Sequence, residues 1–99
     1  MEPSFKNDQG SIWLFPDRLI YRSFQEDYCI IQYYKKDLHS IVISYNYYTH
    51  LPAEYFIKID KDSVIFYNSS QQDLSHIFNL ISDWILDDTL QPVLPTLEG

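Results

Sequence analysis

From about Ser11 to Tyr67 the chain is a series of short runs rich in Ile, Val, Tyr, Phe and Trp, separated by brief polar punctuation. Such runs read as β-strands. They predict strands near residues 11–15, 18–24, 27–34, 39–45, 54–59 and 63–67. The links Pro16-Asp17, Gln25-Glu26, Lys35 to Leu38 and Asp60 to Asp62 are too short for parallel crossovers, so successive strands are expected to run antiparallel as a meander. In two of the strands, apolar and polar positions alternate. Leu19 and Tyr21 oppose Arg18 and Arg22, while Ile41, Ile43 and Tyr45 oppose Ser40 and Ser44, which gives each strand one wet face. Tyr28-Cys29-Ile30-Ile31 is apolar on both faces and is expected to be a central strand covered on both sides. Neither of the glycines, Gly10 and Gly99, lies between the strands. Turns that need a positive φ therefore fall to Asn46, Asn68, Asp37 or the Asp60/Asp62 pair.

The period changes after Asn68. Leu74, Ile77, Phe78, Ile81, Trp84 and Ile85 trace one stripe along a helix, and the spacing predicts a helix within residues 70–86. Ser70 is placed to cap it, with Asp73 in its first turn. A stripe carrying Phe78 and Trp84 is too apolar for water and is expected to dock on the sheet. The fold class is therefore α+β, an antiparallel meander of about six to seven strands capped by one C-terminal amphipathic helix. Residues 1–10 are expected to be flexible and residues 11–88 to form the single domain. Residues 89–99 make a tail in which Pro92 and Pro95 forbid a helix while Leu90, Val93, Leu94 and Leu97 call for a surface to bury them. That surface is either the tail's own domain or a partner's.

Composition narrows the function. At 99 residues, 45% hydrophobic, the chain has room for one domain and enough apolar material to fold it. Its net charge of -7 and isoelectric point near 4.6 oppose nucleic acid and anionic membranes as partners. The single cysteine, Cys29, allows no internal disulfide, the polar N-terminus lacks the pattern of a signal peptide, and the apolar runs fall far short of the ~20 residues that span a bilayer. A cytoplasmic location is the expectation.

Motifs for chemistry are absent. His39, His50 and His76 show no metal-ligand spacing. Asp60 to Ser63 lacks the glycine and the closing glutamate of a calcium loop and reads as a hairpin turn. No nucleophile elbow or glycine-rich phosphate loop occurs, and Cys29, in mid-strand, is expected to be a buried inert thiol. The chain is accordingly read as no enzyme, with no catalytic residue, cofactor or metal.

The compositional excess is tyrosine, nine in all. Neighbours in a strand face opposite ways, so Tyr33-Tyr34 and Tyr47-Tyr48 cannot both enter one core, and some rings must meet solvent. Cross-strand pairing on the sheet explains part of this excess. The stretch from Tyr45 to His50 is too aromatic for an ordinary loop and too polar for a core. Because Pro52 ends strand pairing just beyond it, Tyr45, Tyr47, Tyr48 and His50 are the candidate partner-binding residues.

Over about residues 12–85 the outline resembles the bacterial pleckstrin-homology-like and GRAM-like domains. The segment DRLIYR, Asp17 to Arg22, is similar to their second strand, and IIQYYKKDLHSIVIS, Ile30 to Ser44, to their strand, polar turn and strand. The helix with a tryptophan in its second half completes the likeness. The resemblance implies seven strands. It also implies a fold used for binding lipids or proteins, and lipid-binding members carry basic residues in the first strand loop, where this chain has Pro16-Asp17-Arg18. The function expected is a small non-catalytic module that binds another protein, with neither nucleic acid nor membrane, through an acidic, tyrosine-rich surface; homo-oligomers stay open. The alternative is an acidic inhibitor or immunity-type protein that blocks the basic nucleic-acid-binding or catalytic site of an enzyme.

Overall fold

The computed structural model describes residues 1–25, 29–61 and 63–87. Along the chain run β1 (Phe5–Lys6), β2 (Gly10–Leu14), β3 (Arg18–Ser23), β4 (Ile30–Tyr34), a 3-10 turn (Lys35–Asp37), β5 (Ile41–Asn46), β6 (Glu54–Ile59), β7 (Ser63–Ile65) and the helix α1 (Gln71–Leu86). The class is α+β, and all the strand pairings are antiparallel. The ladders do not run through one meander: β1-β2-β3-β4 form one sheet and β5-β6-β7 another. Between the sheets the chain passes through the 3-10 turn. There Asp60 Oδ1 accepts the backbone N–H groups of His39 and Ser40 at 2.9 and 2.8 Å and fixes the entry into β5.

Strand alternation places the core between the sheets and the helix. Ile12, Leu19 and Tyr21 from the first sheet meet Ile57, Ile59, Ile65 and Phe66 from the second, and Leu74, Ile77, Ile81 and Trp84 of α1 close the cluster. The helix starts where its cap predicts, with Ser70 Oγ accepting the Asp73 N–H at 3.1 Å. At its other end the Trp84 indole donates to the Phe15 carbonyl at 2.6 Å, and Lys35 Nζ donates to the Asp87 carbonyl at 3.1 Å. A lysine distant in sequence thus supplies the cation that the last helical turn itself lacks.

Several expectations are corrected. The stretch before Gly10, expected to be flexible, carries β1. It is tied down because Asn7 Oδ1 accepts the N–H groups of Gln9 and Gly10 while Asn7 Nδ2 reaches Ser69 Oγ and Asp73 Oδ2, each at 3.1 Å. β4, expected at the centre, is the outer strand of its sheet, so Ile30 is 65% exposed and Cys29 is an exposed thiol rather than a core one. Of the candidate turn residues, Asp60 and Asn68 do take positive φ, 51° and 64°, whereas Asn46 and Asp37 do not. Asp62 lies outside the described residues. Phe66 joins them at φ 53°, a conformation uncommon for a bulky side chain, which ends β7 two residues before the expected Tyr67. Full burial of its ring and a 3.0 Å bond from its N–H to the Tyr21 hydroxyl hold it there. The 89–99 tail lies outside the described residues.

Candidate functional site

Antiparallel register decides what the second sheet shows to solvent. Ile41, Ile43 and Tyr45 of β5 stand opposite Ile59, Ile57 and Tyr55 of β6, so all six share the face that carries the buried Ile57 and Ile59. The helix covers only part of that face. Ile43 and Tyr45 are left 41% and 57% exposed, and the Tyr45 ring leans on Tyr55 with centroids 5.7 Å apart. β5 pairs with β6 alone, so its other edge is unpaired among the described residues.

The loop between β5 and β6 carries the remaining candidates. Tyr47 is 77% exposed, and His50 and Leu51 beside it are exposed as well. Tyr48 is held differently. Its hydroxyl donates to Glu54 Oε1 at 2.9 Å, the Tyr67 hydroxyl donates to the same oxygen, and Asn46 Nδ2 donates to the Tyr67 hydroxyl at 3.2 Å. The adjoining Tyr67 hydroxyl and then the Glu54 carboxylate hold the Tyr48 proton and push its pKa up to about 12. Stacking of Tyr67 on the buried Phe56, centroids 5.6 Å apart, anchors the network to the sheet.

The four residues singled out from the sequence therefore lie together at one end of the second sheet, though in two roles. Tyr45 and Tyr47 offer ring surface, and His50 stands exposed in the same loop as Tyr47, while Tyr48 braces that loop. Ile43, Glu54 and Tyr67 escaped the sequence reading. Cross-strand register is the signal that finds the first two, since a hairpin with Asn46 opposite Glu54 puts Glu54 at the base of the aromatic loop. Tyr67 arrives only through the turn at Phe66.

On the far side of Tyr67 a cavity of about 310 Å³ opens between the sheets, lined in part by Tyr21, Ser23, Cys29, Ile31 and Val64. Its described lining holds no His, Asp or Glu that could activate the Cys29 thiol. Burial pushes the Tyr21 hydroxyl's pKa up, against the lowering effect of the backbone bond at Phe66. Among the described residues no group of three or more His, Cys, Asp and Glu is placed to hold a metal ion, and no helix is long and apolar enough to cross a membrane. Compared with protein-family models, with curated proteins and with solved structures, the chain finds no match.

Proposed function

We propose that the protein is a small, non-catalytic binding module that takes up an extended segment of another protein on the edge of β5 that is unpaired among the described residues. A single observation carries this reading: a strand edge unpaired among the described residues, the exposed side chains of Ile43 and Tyr45, and the exposed Tyr47 all occur in one place. A strand added to β5 gains main-chain hydrogen bonds from the edge and lays alternate side chains on the Ile43/Tyr45 face. Tyrosine suits the rim of such a site because it offers a large contact area with few rotatable bonds. With a net charge of -7, the segment that fits best is apolar at alternate positions and flanked by basic residues.

We read the architecture as pleckstrin-homology-like. Seven strands followed by a C-terminal helix with Trp84 in its second half support that reading, β1 supplying the strand that the sequence pattern left out. The turn between β2 and β3 has Arg18 as its one cation, with its guanidinium 5.5 Å from the Phe15 ring centroid, and this favours a protein over a phosphoinositide as ligand. The fold as such carries no function; the β5 edge does.

The test is Tyr47→Ala. Its ring takes no part in the core, so the variant is expected to melt with the parent and to lose the proteins that the parent captures from its native host. Each captured protein is then purified and titrated against both chains. Undiminished binding by a folded Tyr47→Ala chain would overturn the β5 site.

A further inference from the structure

β4 closes the order of the first sheet: among the described residues it pairs with β3 and with no strand on its other side. Register fixes what that outer edge offers. The Ser23 N–H donates to the Cys29 carbonyl at 2.8 Å and the Lys35 N–H to the Asp17 carbonyl at 2.8 Å, and these pairs extend the β3–β4 register at its two ends. Hydrogen-bonded and non-hydrogen-bonded pairs alternate along an antiparallel ladder. Ile31 and Tyr33 therefore turn their main-chain groups to β3, whereas Ile30, Gln32 and Tyr34 turn theirs outward. The side chains of these three are exposed as well, Ile30 at 65% and Tyr34 at 41%. Edge strands are ordinarily guarded by a charge, a proline or a bulge, and Ile30–Tyr34 has none of them.

A second copy of the chain matches this edge. Turned antiparallel about a two-fold axis at Gln32, it sets Gln32 opposite its own counterpart, Ile30 opposite the second copy's Tyr34, and Tyr34 opposite the second copy's Ile30. Each pair joins residues whose main-chain groups face outward, so each is a hydrogen-bonded pair. The two exposed apolar side chains of β4 then cover each other, a β-branched residue against an aromatic ring, which is a favourable cross-strand combination. β7, the outer strand of the second sheet, lies against β4 through the 2.6 Å bond between the Tyr33 and Ser63 hydroxyls, and its Val64, 41% exposed, adds apolar surface on this flank.

Charge selects the antiparallel sense. A parallel copy would set Lys35 and Lys36 beside their counterparts, whereas the antiparallel pair holds the two Lys35 positions roughly 20 Å apart, well past the Debye length of about 8 Å. The acids behind the net charge of -7 lie elsewhere, since residues 18–25 and 29–36 include no Asp or Glu.

We propose that the chain forms a two-fold dimer by pairing β4 with β4 of a second copy, which joins two four-stranded sheets into one. The dimer does not rest on the β5 reading, and Tyr47→Ala is expected to leave it unchanged.

Sedimentation of the full chain is expected to give twice the single-chain mass of 11.9 kDa, falling to the single value on dilution. Gln32→Pro removes an outward N–H that the β3 ladder does not use, and is expected to give a folded monomer. Gln32→Lys, which sets two ammonium groups face to face, makes the same test should the proline variant not fold. Register is read by Cys29→Ser combined with Gln32→Cys. The introduced thiols sit on directly opposite residues, with Cα atoms about 5.5 Å apart, so mild oxidation is expected to link them at least about tenfold faster than the Cys29 thiols of the parent, roughly 20 Å apart. A single-chain mass at every concentration would overturn the proposal. So would a dimer that survives in a folded Gln32→Pro or Gln32→Lys chain, or an introduced thiol that oxidises no faster than Cys29.

Discussion

Tyr48 shows what a single residue contributes to the site. Its hydroxyl is an ordinary phenol by sequence, but the Tyr67 hydroxyl and the Glu54 carboxylate raise its pKa from 10.0 to about 12. A group whose pKa is raised on folding favours the fold in its protonated form. Its contribution is therefore fully present below about pH 10 and fades as the pH climbs through about 12. The difference between the phenolate titrations of the parent and of Tyr48→Phe isolates this one ring. The expected midpoint is near 12 in the parent and falls toward 10 when Tyr67→Phe removes the larger cause; a parent midpoint already at 10 would contradict the network. Gly10 makes a complementary point. A Cβ there would sit 2.6 Å from the Arg22 carbonyl and 2.7 Å from the Tyr21 ring, so the position tolerates only glycine without a shift of backbone or ring. Nothing beside Gly10 in the sequence announces this, because both neighbours belong to the next strand.

At the level of elements, the helix was the most legible part. A stripe of six apolar residues at helical spacing has one efficient solution, burial of that face, and Leu74, Ile77, Ile81 and Trp84 are all buried. Trp84 is 3% exposed, donates to Phe15 and lies under the Lys35 ammonium at 5.1 Å, so it joins the helix, the β2–β3 turn and the sheet-to-sheet crossing. Trp84→Ala is expected to cost roughly 3–5 kcal/mol, a large part of a total stability of about 5–15 kcal/mol. Denaturant unfolding measures this loss, and a midpoint equal to the parent's would show that the ring carries no packing. β4 was the least legible element. A run apolar on both faces reads as a doubly covered strand, but coverage depends on which strands lie alongside, and that is set by partners far away in sequence. β4 lies at the edge because the chain turns out of its sheet at Lys35, leaving Ile30 and Cys29 in the open.

On the scale of the whole molecule, charge and shape act on different steps of binding. Under the proposed function, seven excess acids raise the rate at which a basic partner arrives, and salt removes that advantage because the Debye length is only about 8 Å at physiological ionic strength. If the proposed β5 site is the binding site, a partner held there by strand pairing and by Tyr45 and Tyr47 depends little on ionic strength once docked. Association is therefore expected to slow with added salt while dissociation hardly changes, as measured by surface-based kinetics with a purified partner. An acidic inhibitor seated in a basic cleft behaves otherwise, since its dissociation accelerates steeply with salt.

The amino-acid sequence by itself determined the α+β class, the antiparallel pairing across the β2–β3, β3–β4 and β6–β7 links, the helix with its Ser70 cap and its buried face, and the clustering of exposed tyrosines from Tyr45 to Tyr48. Each of these rests on local periodicity or on short links between neighbouring elements. Tertiary structure alone decided the division into two sheets, the exposed place of Cys29, the capping of the helix by Lys35 and the union of Tyr48, Glu54 and Tyr67 on one carboxylate oxygen. These depend on the register and packing of segments distant along the chain, which hydrophobic alternation constrains to a face but not to a partner.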